Sequence, residues 1–161
     1  MKQNKEYNIA FKHLENNISH LFQFSAGDAF FASFNNPEVS GGELNIEVDL
    51  LKKNDMIILS FSAGGYLRTT CDICLEEVAL PVYQENTVTL KYDKSQLDDY
   101  AETDYINPAD NFINIAQYIY EFAVLGLPLK KMHPVNEDGK STCNDSAIKK
   151  YNDIVINREN K

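Results

Sequence analysis

Gly41-Gly42-Glu43-Leu44-Asn45-Ile46-Glu47-Val48-Asp49-Leu50 is the stretch that decides the fold. After the two glycines, Leu44, Ile46, Val48 and Leu50 fall on one face and Asn45, Glu47 and Asp49 on the other. This is the period-two pattern of a strand with one buried and one wet face. Lys52-Lys53-Asn54-Asp55 reads as a turn, and Met56 to Phe61 begins the partner strand. Gly64-Gly65 inside that partner predicts a bulge. The strand resumes as Tyr66-Leu67-Arg68-Thr69-Thr70 and runs into Cys71-Asp72-Ile73-Cys74.

Alternation returns at Val78, Leu80 and Val82 and again at Val88, Leu90 and Tyr92. Pro81 cannot donate to a ladder, so its neighbourhood is expected to be an edge or a second bulge. Upstream, Tyr7, Ile9 and Phe11 alternate as a first strand, followed by a turn at Glu15-Asn16-Asn17 and a strand over about 17–25. His13 and His20 flank this expected hairpin turn and read as exposed. Asp28 to Phe34 reads as a short helix stopped by Asn35-Asn36-Pro37. Residues 93–111 are rich in acids (Asp98, Asp99, Glu102, Asp104, Asp110) and read as a solvated loop. From Ile113 to Leu127 the period becomes helical: Ile115, Tyr118, Ile119, Phe122 and Leu125 form one stripe, with Asn111 or Asn114 as cap and Gly126 and Pro128 as terminator. A loop over 129–142 and a short helix over about 144–152 complete the chain, before a fraying tail. The expected class is α+β, an antiparallel β-sheet with strands mainly in residues 5–92 and C-terminal helices packed against it.

A length of 161 residues, 43% hydrophobic, with nine Phe and nine Tyr but no Trp, predicts a folded globule of one domain. The polar Met1-Lys2-Gln3-Asn4-Lys5-Glu6 start and the lack of any long apolar run predict neither a secretory signal nor a membrane span. The expected setting is cytoplasmic, where thiols stay reduced, and three cysteines disfavour a disulfide framework. Residues 1–129 carry 8 basic and 19 acidic side chains, a balance of −11, whereas residues 130–161 carry 7 basic and 5 acidic, a balance of +2. Most of the surface should repel phosphate, and only the C-terminal segment can approach it.

Catalytic motifs are missing. Gly139-Lys140-Ser141 resembles the end of a phosphate-binding loop, but Pro134 stands where that loop needs Gly. Neither Gly41-Gly42 nor Gly64-Gly65 makes a dinucleotide fingerprint, and there is no G-x-S-x-G or H-E-x-x-H. Glu76 and Glu77 are adjacent, so on a strand they face opposite sides and make no paired-carboxylate site. No small-molecule substrate is evident.

Cys71 and Cys74 admit three readings. Two thiolates two residues apart can both reach one zinc ion, and Cys143 with His133 would complete a Cys₃His site. Such a closed site is structural and would staple the sheet to the C-terminal segment. A thiol redox pair needs a lowered pKa, usually from a helix N-terminus, whereas this pair follows a strand in acidic surroundings. The third reading is two small half-buried residues at a hairpin bend.

Several stretches together resemble the YceD family, the large ribosomal RNA subunit accumulation proteins. Leu67-Arg68-Thr69-Thr70-Cys71-Asp72-Ile73-Cys74-Leu75 is similar to that family's strand entering a Cys-x-x-Cys-Leu turn. Ile113-Asn114-Ile115-Ala116-Gln117-Tyr118-Ile119-Tyr120-Glu121, followed by Leu127-Pro128-Leu129, resembles its helix closing on a Leu-Pro step. His133-Pro134 with Gly139-Lys140-Ser141-Thr142-Cys143 is similar to the C-terminal signature of the Bacteroidetes-type members. Many members carry a second cysteine pair near the C-terminus, where this chain has only Cys143 and, nearby, His133. Ile73 stands where members often have Arg.

The resemblance implies one YceD-like domain over 1–161, with a basic, partly mobile segment from about 130. It implies a non-enzymatic role in ribosome biogenesis and large-subunit RNA accumulation. The acidic balance of residues 1–129 points to action mainly through protein partners, with any RNA contact at Lys130, Lys131, Lys140, Lys149 and Lys150. The alternatives are a zinc-stapled interaction adaptor without a ribosomal role and a thiol oxidoreductase.

Overall fold

Leu44, Ile46, Val48 and Leu50 are all buried, and they form the inner face of a strand that runs over Val39–Lys52. The structure, a computed structural model, describes residues 4–96 and 103–159. In chain order the elements are β1 (Asn8–Ala10), β2 (Ser19–Ala26), α1 (Asp28–Ala32), β3 (Val39–Lys52), β4 (Met56–Thr70), β5 (Glu77–Lys91), β6 (Thr103–Tyr105), β7 (Phe112–Asn114), α2 (Ala116–Leu125) and α3 (Asp145–Glu159). Among the described residues one sheet has the order β2-β3-β4-β5-β6, antiparallel except for the short parallel pair β5–β6. One face is wet, as antiparallel sheets allow. The other carries Ile57, Leu59, Phe61, Val82, Val88 and Leu90 into a core closed by Phe30 and Phe31 of α1 and Ile119, Phe122 and Ala123 of α2.

The β3–β4 turn falls at the expected place, closed by the Lys53 amide donating to the Met56 carbonyl at 2.8 Å. The bulge does not fall at Gly64-Gly65. β3 and β4 pair without a register shift there, and the shift lies between Val39 and Gly41, where Ser40 is the extra residue. The glycines answer to backbone approach instead. A Cβ on Gly65 would run into the carbonyl oxygen of Glu43, and one on Gly42 would lie 2.5 Å from that of Tyr66. Pro81 pairs with Tyr66 in register, and β6 covers only Thr89–Lys91 of β5, so Pro81 sits on an edge, not at a bulge.

Other expectations are corrected. β1 does not form a hairpin with β2; it pairs with β7, Ile9 opposite Ile113, and β2 pairs with β3. His13 is exposed as expected, but His20 faces inward and is half-buried, its Nε2 shielded from solvent with no hydrogen-bond partner among the described residues. The acidic stretch 93–111 is not all loop. A turn of 3-10 helix at Lys94–Gln96 and β6 lie within it, while Asp98, Asp99 and Glu102 lie outside the described residues.

α2 starts later than the periodicity predicted because Ile113 and Asn114 belong to β7. The Asn114 side chain still serves the helix start, its oxygen accepting the Ala116 amide at 3.1 Å. Leu125 is 70% exposed; the inward stripe runs Ile119, Phe122, Ala123 and then Gly126, which abuts Val82 and Gln84. α3 runs to Glu159, well past the expected 152.

Candidate metal centre

Thr70 pairs with Glu77, so Cys71–Glu76 is the loop at the tip of the long β4–β5 hairpin. The Cys71 amide donates to the Glu76 carbonyl at 2.8 Å and the Leu75 amide to the Cys71 carbonyl at 3.0 Å, closing the loop on itself. Leu75 pays for this with a left-handed backbone, φ 62°, a conformation that costs a residue with a Cβ about 1–2 kcal/mol. The chain after α2 returns to this tip. Asp72 and Lys131 hold it reciprocally: the Asp72 amide donates to the Lys131 carbonyl and the Asp72 carboxylate accepts the Lys131 amide, both at 2.7 Å. Cys71, Val78, Leu80 and Cys143 form a small second core there, flanked by Ile73, Leu127, Met132 and Ile148 of α3.

This packing brings together the four residues that the sequence proposed as ligands. The ligand atoms of Cys71, Cys74, His133 and Cys143 all lie within 4.8 Å of one another. Cys71 and Cys143 are buried, with their sulfurs 3.5 Å apart and not bonded as a disulfide. His133 Nδ1 lies 3.4 Å from the sulfurs of Cys74 and Cys143 alike. Its other nitrogen, Nε2, is 3.1 Å from the Glu77 carbonyl oxygen. A carbonyl only accepts, so Nε2 carries a proton and Nδ1 is the nitrogen turned to the sulfurs. The four groups can hold a metal ion.

Backbone amides favour the thiolate at one of the sulfurs, Cys71. Burial pushes the Cys71 thiol up, but the amides of Cys74, Ile73 and His133 and the His133 ring outweigh it and bring it from 9.0 down to about 6. Cys74 moves the other way, raised first by burial and then by the Cys71 and Cys143 sulfurs, against donation from the Glu76 and Asn144 amides. His133 is raised by its hydrogen bond to Cys71 and then by Cys143, with burial opposing. Cys71 is thus the readily ionised thiol and Cys74 the reluctant one.

The lysines are less convergent. Lys130 reaches over the Tyr151 ring, 5.3 Å from its centre, and donates to its hydroxyl at 3.2 Å. Lys149 and Lys150 are exposed on α3, and Lys140 sits in a tight turn whose amide donates to Asn136 Oδ1 at 2.9 Å. Lys131 contributes its backbone to the Asp72 strap. Glu76 and Glu77 diverge as expected, Glu76 toward Asn144 and Glu77 toward Ser40 and Arg68.

The family described as large ribosomal RNA subunit accumulation protein YceD matches residues 59–160, more than half of the chain. The chain belongs to this YceD family. The matched span opens in β4 and takes in all four clustered residues, both C-terminal helices and the lysines. Comparison with curated proteins and with solved structures gives no match. No helix among the described residues is long and apolar enough to cross a membrane.

The sequence singles out the four clustered residues but not what positions them. The Glu77 carbonyl, the Asp72–Lys131 strap and the aliphatic packing of Leu127, Met132 and Ile148 carry no sequence signature, since backbone groups are the same at every position.

Proposed function

We propose that this YceD-family protein is a non-enzymatic, cytoplasmic factor in large-subunit ribosomal RNA accumulation, built as one domain whose C-terminal segment is held by a structural zinc ion. The family match over residues 59–160 carries the ribosomal part. Action mainly through protein partners is supported by the −11 balance of residues 1–129, which disfavours broad phosphate contact. Any RNA contact falls to Lys130, Lys131, Lys140, Lys149 and Lys150.

The orientation of the His133 ring carries the zinc part. A tetrahedral ion with bonds of about 2.3 Å to sulfur and about 2.0–2.1 Å to nitrogen has ligand–ligand edges of about 3.5–3.8 Å. Three of the six separations, 3.4, 3.4 and 3.5 Å, are close to those edges, and all six lie within 4.8 Å. Three sulfurs and an imidazole form a soft set suited to zinc, with no open position for water. The carbonyl behind His133 is the outer-shell partner that such ligands use. When bound, zinc would supply cross-linking between the β4–β5 tip, the 130–143 loop and the start of α3. Against the oxidoreductase reading, the thiol whose pKa is lowered, Cys71, is wholly buried, while that of the half-buried Cys74 is raised.

The test is cosedimentation of the tagged chain with ribosomal precursors, together with large-subunit RNA levels in a deletion strain. Association and reduced RNA are expected. No association with normal RNA would remove the ribosomal reading and leave the adaptor.

A further inference from the structure

We propose that the groove between the Cys71–Cys74 turn and α3 docks an acidic, apolar segment of a protein partner. This rests on the reading of the chain as a factor that works through protein partners, and it assigns the surface and the chemistry. The groove has a volume of about 450 Å³; its lining combines Ile73, Leu75, Tyr151 and Ile154 with the polar Asn144 and Ser146 and the cation Lys150. Leu75 is 76% exposed and Ile154 is 55% exposed, two large aliphatic side chains facing one groove. The left-handed backbone at Leu75 fixes this presentation, and the ligand cluster fixes the turn behind it. Apolar side chains held in a preformed concavity lower the ordering cost of binding.

Charge selects the occupant. Asp72 lines the groove too, but its carboxylate is turned to the Lys131 amide. Neither Asp145 nor Asp153 of α3 is a lining residue. Glu76 is held against Asn144, Lys130 sits at the Tyr151 hydroxyl, and Lys150 on the lining makes no ion pair among the described residues. On a chain whose first 129 residues balance at −11, this is where an acidic segment is not repelled. A polypeptide fits better than RNA. Four of the ten lining residues, Ile73, Leu75, Ala147 and Ile154, are aliphatic, and Lys150 is the one cation among them, too little positive charge to follow a phosphate backbone.

The full chain, as purified, is panned against a random peptide display library, and a labelled copy of the winning peptide is titrated by anisotropy. Peptides with Asp or Glu flanking Leu, Ile or Phe are expected, with affinity falling about tenfold or more in Leu75→Glu and again in Lys150→Glu. Ile154→Glu gives an independent variant on the other wall. A basic consensus, no enrichment, or a winner indifferent to Leu75→Glu and Ile154→Glu overturns the proposal. So does oligouridine that displaces the peptide and itself depends on Lys150, since that assigns the surface to nucleic acid. Zinc content is measured on the same samples. No docking by the unaltered chain with its zinc retained defeats only this inference, whereas absence of zinc from the unaltered chain defeats the metal reading.

Discussion

His133 donates its Nε2 proton to the carbonyl oxygen of Glu77 at 3.1 Å, and this bond turns Nδ1 toward the cysteine sulfurs, 3.4 Å from two of them. Glu77 opens β5 while His133 lies in the loop after α2, so the bond joins the hairpin to the returning chain. His133→Ala removes one of the four proposed ligands and is expected to weaken zinc binding by more than about 100-fold in a chelator competition titration. His133→Cys, which makes a Cys₄ set, should keep the ion. If both variants bind zinc like the parent, His133 is not a ligand.

Acid should release the ion in a defined window. Cys71 has its thiol lowered from 9.0 to about 6, so its contribution to stability is complete above 9.0 and is lost as pH falls through about 6. His133 runs the other way: raised above its ordinary 6.5, it favours the metal-free fold below that value and loses the effect as pH rises through its raised value. Zinc held at pH 7 is therefore expected to leave progressively below about 6, read with a chromophoric chelator. In the metal-free chain, thiolate absorbance should titrate near 6 and move upward in Cys71-containing His133→Ala. Titration near 9 would contradict the geometry.

Chelation should loosen one end of the molecule. The small core of Cys71, Val78, Leu80 and Cys143 contains two of the four clustered residues, whereas the main core under β3 and β4 contains none and meets it at Leu127. Hydrogen exchange after zinc removal is expected to accelerate over 130–159 and the 71–76 loop, with Leu44–Leu50 and Ile57–Ala63 still protected. Uniform acceleration would mean that the ion supports the whole fold.

Adjacent glycines in β4 should behave differently. Gly65→Ala drives a Cβ against the Glu43 carbonyl and is expected to cost about 1–3 kcal/mol in denaturant unfolding. Gly64→Ala meets only Tyr83 Cδ2 at 3.7 Å and should change stability by no more than about 0.5 kcal/mol. Equal effects would contradict the close approach of the β3 and β4 backbones.

Local periodicity carried the sheet well. Leu44 to Leu50 could be read because every second residue is apolar and buried, and the β3–β4–β5 meander follows from short turns between such runs. Pairings set by distant chain segments left no such trace. β1 finds β7 more than 100 residues later, and β6 joins β5 in parallel; neither partner is written into the strand itself. His20 looked like a surface residue, but it shares the inward parity of Phe22 and Phe24. Leu125 looked like core because any apolar residue near the right angle fits a stripe, while the sheet beneath takes Gly126 at closer range. At the site, the cysteine spacing and the scarcity of other soft ligands identified all four residues. The backbone donors and the carbonyl that tune them lay beyond what side-chain identity can encode.

The central claim is that Cys71, Cys74, His133 and Cys143 hold one zinc ion. Zinc analysis of the purified chain, with X-ray absorption at the zinc edge, tests it most directly. The expected result is about one zinc per chain, three sulfur neighbours at about 2.3 Å and one nitrogen at about 2.0–2.1 Å, lost in Cys71→Ala. A chain purified with little zinc, or with zinc that Cys71→Ala leaves in place, would contradict it.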